Sequence, residues 1–313
     1  MRSLYLDRRD AELDLEGGAI VVRVAGACVA RIPPRGLERV VVRGARAIGT
    51  RLLATLWEQD TGLLVLSGRH GTPTARLLGR GHGDARIRLR QYELGLDPAE
   101  RLALSRELVR AKLHAQRRLL LRLAARRPEA RRALLGGAER IAAAWNSAGA
   151  ATHRDALLGQ EGAAAAAYVE ALTAVFPPAL GFTGRNRRPP RDPVNAVLSL
   201  GYTLLHHEAA RIAQIRGLDP LLGVLHEPSP GRESLASDLI EPLRPHVDAL
   251  AVELFAARTL RADHFTRDGD ACLLGKAGRQ AFYAAWDEAI PALSRLLGRS
   301  AAAFVRRLRG EDL

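Results

Sequence analysis

The pattern of apolar and polar positions changes character near residue 80. Before it, short apolar or alternating runs recur at Leu4-Tyr5-Leu6, Ala11 to Leu15, Ala19 to Val24 and Ala27 to Ile32. Gly17-Gly18, Gly26 and Pro33-Pro34 separate them, a rhythm that predicts strands joined as hairpins. Val40-Val41-Val42 and Leu63 to Leu66 are continuous apolar runs, which predicts strands buried on both faces. Between them, Ile48, Leu52, Leu53 and Leu56 have helical spacing, so Ile48 to Gln59 is predicted as a helix. The Gly79 to Gly83 segment, GRGHG, reads as a linker. Beyond it the period is helical. Leu102 to Arg127 predicts a long amphipathic helix ended by Pro128. Pro245 to about Arg258 and Phe282 to Leu297 predict further helices, Asp263 to Asp270 an acidic loop, and Arg299 to Leu313 a basic, frayed tail. The expected fold class is α+β: a small N-terminal β-rich domain (1–79), a linker (80–90) and a larger all-α domain (91–313).

Length and composition narrow the function. A chain of 313 residues with 47% hydrophobic content has enough material for sizeable cores, and with 4% aromatics the packing must be aliphatic. No apolar run approaches the ~18 residues of a membrane span. The start, MRSLYLDRRD, lacks the apolar stretch of a signal peptide, so a cytoplasmic protein with no membrane partner is expected. Cys28 and Cys272 are too few for a disulfide framework or a zinc set. The net charge is +13, and Lys112 and Lys276 are the only lysines, so nearly all the positive charge is arginine. An excess of this size makes nucleic acid the leading partner class. On the long helix, Arg106, Arg110 and Arg117 fall within about 40° of one another, as a solvated face or a phosphate-tracking stripe would.

Candidate chemistry lies in three stretches. Gly223 to Pro245, GVLHEPSPGRESLASDLIEPLRP, places His226 before a Pro/Gly-broken loop and then a helix start carrying Asp238 and Glu241. Positions i and i+3 share a helix face, and one imidazole with two carboxylates suits Mg²⁺ or Mn²⁺. A loop histidine beside a solvated acidic face accounts for the same residues. In Leu157 to Leu172, LLGQEGAAAAAYVEAL, Glu161 precedes an alanine-rich helix and projects on the stripe of Ala165 and Tyr168, within about 40°. A carboxylate on a core-facing stripe must be paired or hold metal, unless it serves the helix dipole. In Gly181 to Asn195, GFTGRNRRPPRDPVN, Arg185, Arg187, Arg188 and Arg191 sit on a proline-stiffened loop. Asp192 is the expected N-cap, with Pro193 in the first turn. The following helix aligns Asn195, Ser199, Tyr202 and His206, a wall against which DNA phosphates could dock.

The string H-x-x-x-x-G-R-x-S-L-A-x-D-L-x-E-x-x-R-P resembles the signature of the CRISPR-associated endonuclease and integrase of spacer acquisition, the Cas one family. L-x-G-x-E-G-A-A-A-A-x-Y and R-x-R-x-P-x-x-D-x-x-N-x-x-L-x-x-G-Y resemble two further blocks of that family, and Lys112 to Gln116 resembles a fourth more loosely. The resemblance implies an N-terminal β domain joined to a helical catalytic domain, a homodimer, and a small partner, Cas two. It implies metal ligands at Glu161, His226 and Glu241, with Asp238 a supporting catalytic acid and Mg²⁺ or Mn²⁺ as cofactor. Arg185, Arg187, Arg188, Arg191, Asn195, Tyr202 and Arg232 are the expected DNA-binding residues. The expected activity is insertion of captured DNA into a CRISPR array by transesterification, on double-stranded and branched DNA. A catalytically silent DNA-binding scaffold and a structure-selective nuclease outside CRISPR are the alternatives. No Walker-type phosphate loop, cysteine nucleophile context or G-x-S-x-G elbow is present.

Overall fold

The alternating runs of the first part become strands in the computed structural model, which describes residues 3–186 and 189–311. In order these are β1 (Ser3–Asp7), β2 (Ala11–Glu16), β3 (Ala19–Val24), β4 (Ala27–Ile32), β5 (Arg39–Arg43) and β6 (Ala47–Ile48), then helix α1 (Thr50–Glu58), β7 (Gly62–Ser67) and β8 (Thr72–Leu77). One sheet has the order β1-β5-β7-β8, the other β4-β3-β2-β6. The continuous runs lie inside the first sheet, where β5 pairs in parallel with both β1 and β7. β2 and β3 meet with Glu16 opposite Ala19. The two-residue turn between them takes positive φ at Gly17 (57°) and Gly18 (76°), a conformation glycine adopts without a Cβ clash. Leu4, Leu13, Ile20, Val40, Val42, Leu52, Leu56 and Leu63 form the buried core of this part. Full burial of each such side chain contributes roughly 1.5–3 kcal/mol.

The helical part comprises α2 (Ala85–Leu96), α3 (Pro98–Arg126), α4 (Arg131–Gly149), α5 (Arg154–Thr173), α6 (Pro193–Ile215), α7 (Ser234–Ile240), α8 (Arg244–Ala256) and α9 (Lys276–Leu308). The chain divides into two compact units, Met1–Arg88 with Ala210–Leu218, and Leu89–Ala209 with Asp219–Leu313. The last residues of α6 thus group with the first unit. Asp97 caps α3, its Oδ1 accepting from the amides of Ala99 (2.8 Å) and Glu100 (3.1 Å). Within the second unit α3 packs along α4 and α4 along α5. Gly137 permits the latter approach, because a Cβ there would lie 2.6 Å from the Ala171 Cβ. Phe282 and Trp286 of α9, stacked at 5.9 Å, are fully buried and fill the space beside Gly201 of α6.

Two expectations are corrected here. The acidic loop is a hairpin, β9 (Phe265–Asp268) with β10 (Ala271–Leu274), because its ends pair across the Gly269 turn. The basic tail is not frayed up to Leu308: α9 continues through it, burying Ala301, Val305 and Leu308 at helical spacing. Among the described residues no helix is long and apolar enough to cross a membrane.

Candidate active site

The buried stripe of α3 runs Leu104, Val109, Leu113, Leu119, Leu120, Leu123, and Lys112 lies within it. A lysine in an aliphatic stripe requires partners. Lys112 Nζ hydrogen-bonds Glu161 Oε1 and lies 2.6 Å from Glu241 Oε2. Arg244 Nε meets the other oxygen of Glu241 at 2.8 Å. Glu161 and Glu241, far apart in the chain, therefore share one ammonium. Burial alone would depress the Lys112 ammonium, but the Glu241 and Glu161 carboxylates and their hydrogen bonds hold it above the ordinary lysine value. Burial would likewise raise the Glu241 carboxyl. The Lys112 and Arg244 cations, with a smaller share from His226, hold it down to about 2.

His226 is fixed by a different acid. Asp238 Oδ2 accepts from the amides of Val224 (2.6 Å) and Leu225 (3.1 Å). Its Oδ1 accepts from the His226 amide (3.1 Å) and pairs with His226 Nδ1 at 2.6 Å. A carboxylate only accepts, so Nδ1 carries the proton, and whenever the ring is neutral its lone pair is on Nε2. The same strand of backbone is held from outside by Ser105 Oγ on the Val224 carbonyl (3.1 Å) and Arg154 on the Leu225 carbonyl (3.0 Å). Gly223 belongs to this packing: a Cβ there would lie 2.7 Å from Asp238 Oδ2 and from the His226 carbonyl oxygen.

Asp238 and Glu241 thus do not act as one acidic face. Asp238 lies in α7 and organises the histidine loop; Glu241 opens the 3₁₀ turn Glu241–Leu243 and points to α3. Glu161 sits well inside α5 rather than at its head, which removes the helix-dipole explanation. Two carboxylates sharing a cation, beside an imidazole whose Nδ1 is tied back to a carboxylate, make a donor set that fits a hard or borderline divalent ion. Among the described residues, no three His, Cys, Asp or Glu side chains stand together as a ready metal group; Lys112 stands between two of the three candidates.

The arginine loop is part exposed and part engaged. Asp192 caps α6, accepting the Asn195 amide at 2.8 Å. Arg191 and Arg232 are exposed, and Arg187 and Arg188 lie outside the described residues. Asn195 and Tyr202, expected to contact DNA, are both engaged within the protein. Asn195 is fully buried: its Oδ1 accepts from Arg185 and the Asn186 amide, and its Nδ2 donates to the Gly184 carbonyl and Asp192. It shapes the loop from beneath. The Tyr202 hydroxyl donates to Asp248, and its ring lies under the guanidinium groups of Arg185 (5.2 Å) and Arg244 (4.6 Å). Farther along the same stripe, His206 Nε2 pairs with Glu233 at 2.9 Å.

Sequence reasoning missed the roles of Lys112, Arg244, Tyr168 and Asp248. Tyr168 on α5 donates to Asp248 Oδ2 at 2.6 Å, so Asp248 on α8 takes hydroxyls from two helices. The available signal was a charged residue at a core position of an amphipathic helix, met once in α3 and once in α8.

Residues 4–288 match the family described as CRISPR associated protein Cas1. A CRISPR-associated endonuclease of Thermodesulfovibrio yellowstonii is 34% identical over 318 residues, covering 99% of this chain and 98% of the relative. A solved Cas1 protein from Thermotoga maritima shares the fold with a TM-score of 0.87 at 23% identity, over 100% of this chain and 98% of its own. A casposase bound to integration product gives 0.85 at 19% identity, over 98% and 90%. The structural likenesses speak for the fold and the sequence matches for descent: the chain belongs to the CRISPR-associated Cas1 family.

Proposed function

We propose that this protein is a metal-dependent DNA endonuclease and integrase that inserts captured DNA into a CRISPR array by transesterification. The observation that carries the reading is the pairing of Glu161 and Glu241 on one cation beside a histidine that Asp238 holds by Nδ1. Glu161, His226 and Glu241 would hold Mg²⁺ or Mn²⁺, with His226 using Nε2. The chemistry such an ion supplies when bound is polarisation of the phosphoryl oxygen and stabilisation of the attacking or leaving oxygen. The chain's own residues do the rest. Asp238 fixes the tautomer and direction of His226. Arg244 keeps Glu241 ionised. The arginine loop and Arg232 bind phosphates and hold strands in line.

In strand transfer a DNA 3′-hydroxyl attacks the target phosphorus. Its proton passes to solvent, the new phosphodiester forms as the old P–O bond breaks, and the displaced 3′-oxygen of the target takes up a proton and departs as a hydroxyl. Water in place of that hydroxyl gives hydrolysis, which accounts for nuclease activity on branched DNA. Family membership supports a cytoplasmic homodimer working with Cas two on double-stranded and branched DNA.

The test is integration of a short duplex into a supercoiled plasmid carrying a repeat, with Cas two and Mn²⁺, alongside DNA binding by anisotropy. Glu161→Ala, His226→Ala and Glu241→Ala are expected to lose strand transfer while still binding DNA. Asp238→Ala is expected to lose about 10–100-fold, as supporting residues of metal sites do. Near-normal integration by a folded Glu161→Ala or His226→Ala protein would overturn the reading in favour of a DNA-binding scaffold.

A further inference from the structure

Lys112 is one of two lysines in a chain whose remaining positive charge at neutral pH is carried by arginines. It is 8% exposed, and its ammonium lies between Glu161 and Glu241. The second oxygen of Glu241 is met by Arg244. The charges of both carboxylates are therefore already met by side chains of the protein itself. Without the ammonium, two carboxylates would face each other in a poorly hydrated place, and one would have to give up its charge or move. A divalent cation drawn to the same oxygens meets the opposite difficulty, because cation and ammonium repel at close range with little solvent to screen them. The two compete for Glu161 Oε1 and Glu241 Oε2. A lysine suits an exchange of this kind, since its compact charge rides on a flexible four-carbon stem, whereas arginine binds through a rigid planar fork.

We propose that Lys112 is the resident counter-ion of the metal centre: it holds Glu161 and Glu241 together in the metal-free protein and yields its place to the divalent ion. The role rests on the reading of Glu161, His226 and Glu241 as ligands. It makes Lys112 a positioning residue whose removal strengthens ion binding, the reverse of what loss of a ligand does.

Mn²⁺ binding to the full chain, followed by the electron paramagnetic resonance of the free ion, separates the two. Lys112→Met is expected to lower the Mn²⁺ Kd about tenfold, equivalent to about 1.4 kcal/mol of competition removed, and to lower the metal-free Tm. Glu161→Gln and His226→Ala are expected to raise the Kd. Unchanged or weaker Mn²⁺ binding by folded Lys112→Met, with Glu161→Gln and His226→Ala still impaired, overturns the counter-ion role and leaves the ligands standing. Wild-type binding by Glu161→Gln and His226→Ala overturns the ligand reading, and the counter-ion role with it. If circular dichroism shows Lys112→Met unfolded, Lys112→Gln, uncharged but able to hydrogen-bond, takes its place with the same expected direction.

Discussion

Asp248 and Glu241 are buried carboxylates on adjoining turns, yet their surroundings push them in opposite directions. Glu241 faces two cations and is held down; Asp248 is 2% exposed, and burial pushes its carboxyl up. The hydroxyls of Tyr168 and Tyr202, with Arg185 and Arg244 farther off, offset that only in part. The native state therefore binds the Asp248 proton more tightly than the unfolded chain does. Its contribution to stability falls as pH rises from the ordinary value of 3.8 through the raised one, and is level beyond. Urea unfolding across that window should show wild type losing stability relative to Asp248→Asn, which cannot ionise. Asp248→Leu should be destabilising at every pH, by about 1–3 kcal/mol for each tyrosine hydroxyl left without an acceptor. This cluster was not legible in the sequence. Glu161, His226 and Glu241 stood in long segments with a recognisable pattern, whereas Asp248, Tyr168 and Lys112 owe their roles to partners on other helices. Local spacing does not encode such pairings.

Elements were more legible than their contacts. Period-two runs marked the strands and the 3.6 period marked α3 and α6, because both patterns follow directly from which side chains face a core. Asp192 before Pro193 marked the start of α6. The end of the chain was misread because Arg299, Arg306, Arg307 and Arg309 outnumber the spaced Ala301, Val305 and Leu308 that α9 buries. The hairpin β9–β10 was misread because its strands are four residues each, too short to show alternation. Helix packing was hidden entirely. At Gly201 an added Cβ would lie 2.5 Å from Val247 Cγ1, with Phe282 and Trp286 each 3.7 Å away. Gly201→Ala raises helix propensity, and on an isolated helix it would be favourable. Here overpacking should win, with a net loss of about 1–3 kcal/mol in denaturant unfolding. A gain in stability would show that α6 and α8 can separate freely at this point.

At the scale of the whole molecule, the charge of +13 gives an attraction for polyanions that depends on salt. Each arginine–phosphate contact contributes about 0.9 to the slope of log affinity against log salt. Arg191 and Arg232 are exposed. Replacing both with alanine should flatten that slope by roughly two on duplex DNA, and an unchanged slope would mean that neither touches a phosphate. The hairpin bears on the same loop. The Cys272 amide donates to the Pro190 carbonyl at 2.7 Å and Arg267 to the Arg191 carbonyl at 3.2 Å, so β9 and β10 moor the backbone that leads into α6. Cys272 is buried, its thiol pushed up by burial, while Cys28 in the other unit is exposed. A thiol-reactive dye should therefore label the native protein in two phases, one prompt at Cys28 and one slow at Cys272. The slow phase is a clock built into the wild-type chain. Its rate counts how often the mooring of the arginine loop comes undone, and DNA that grips the loop should make it run slower.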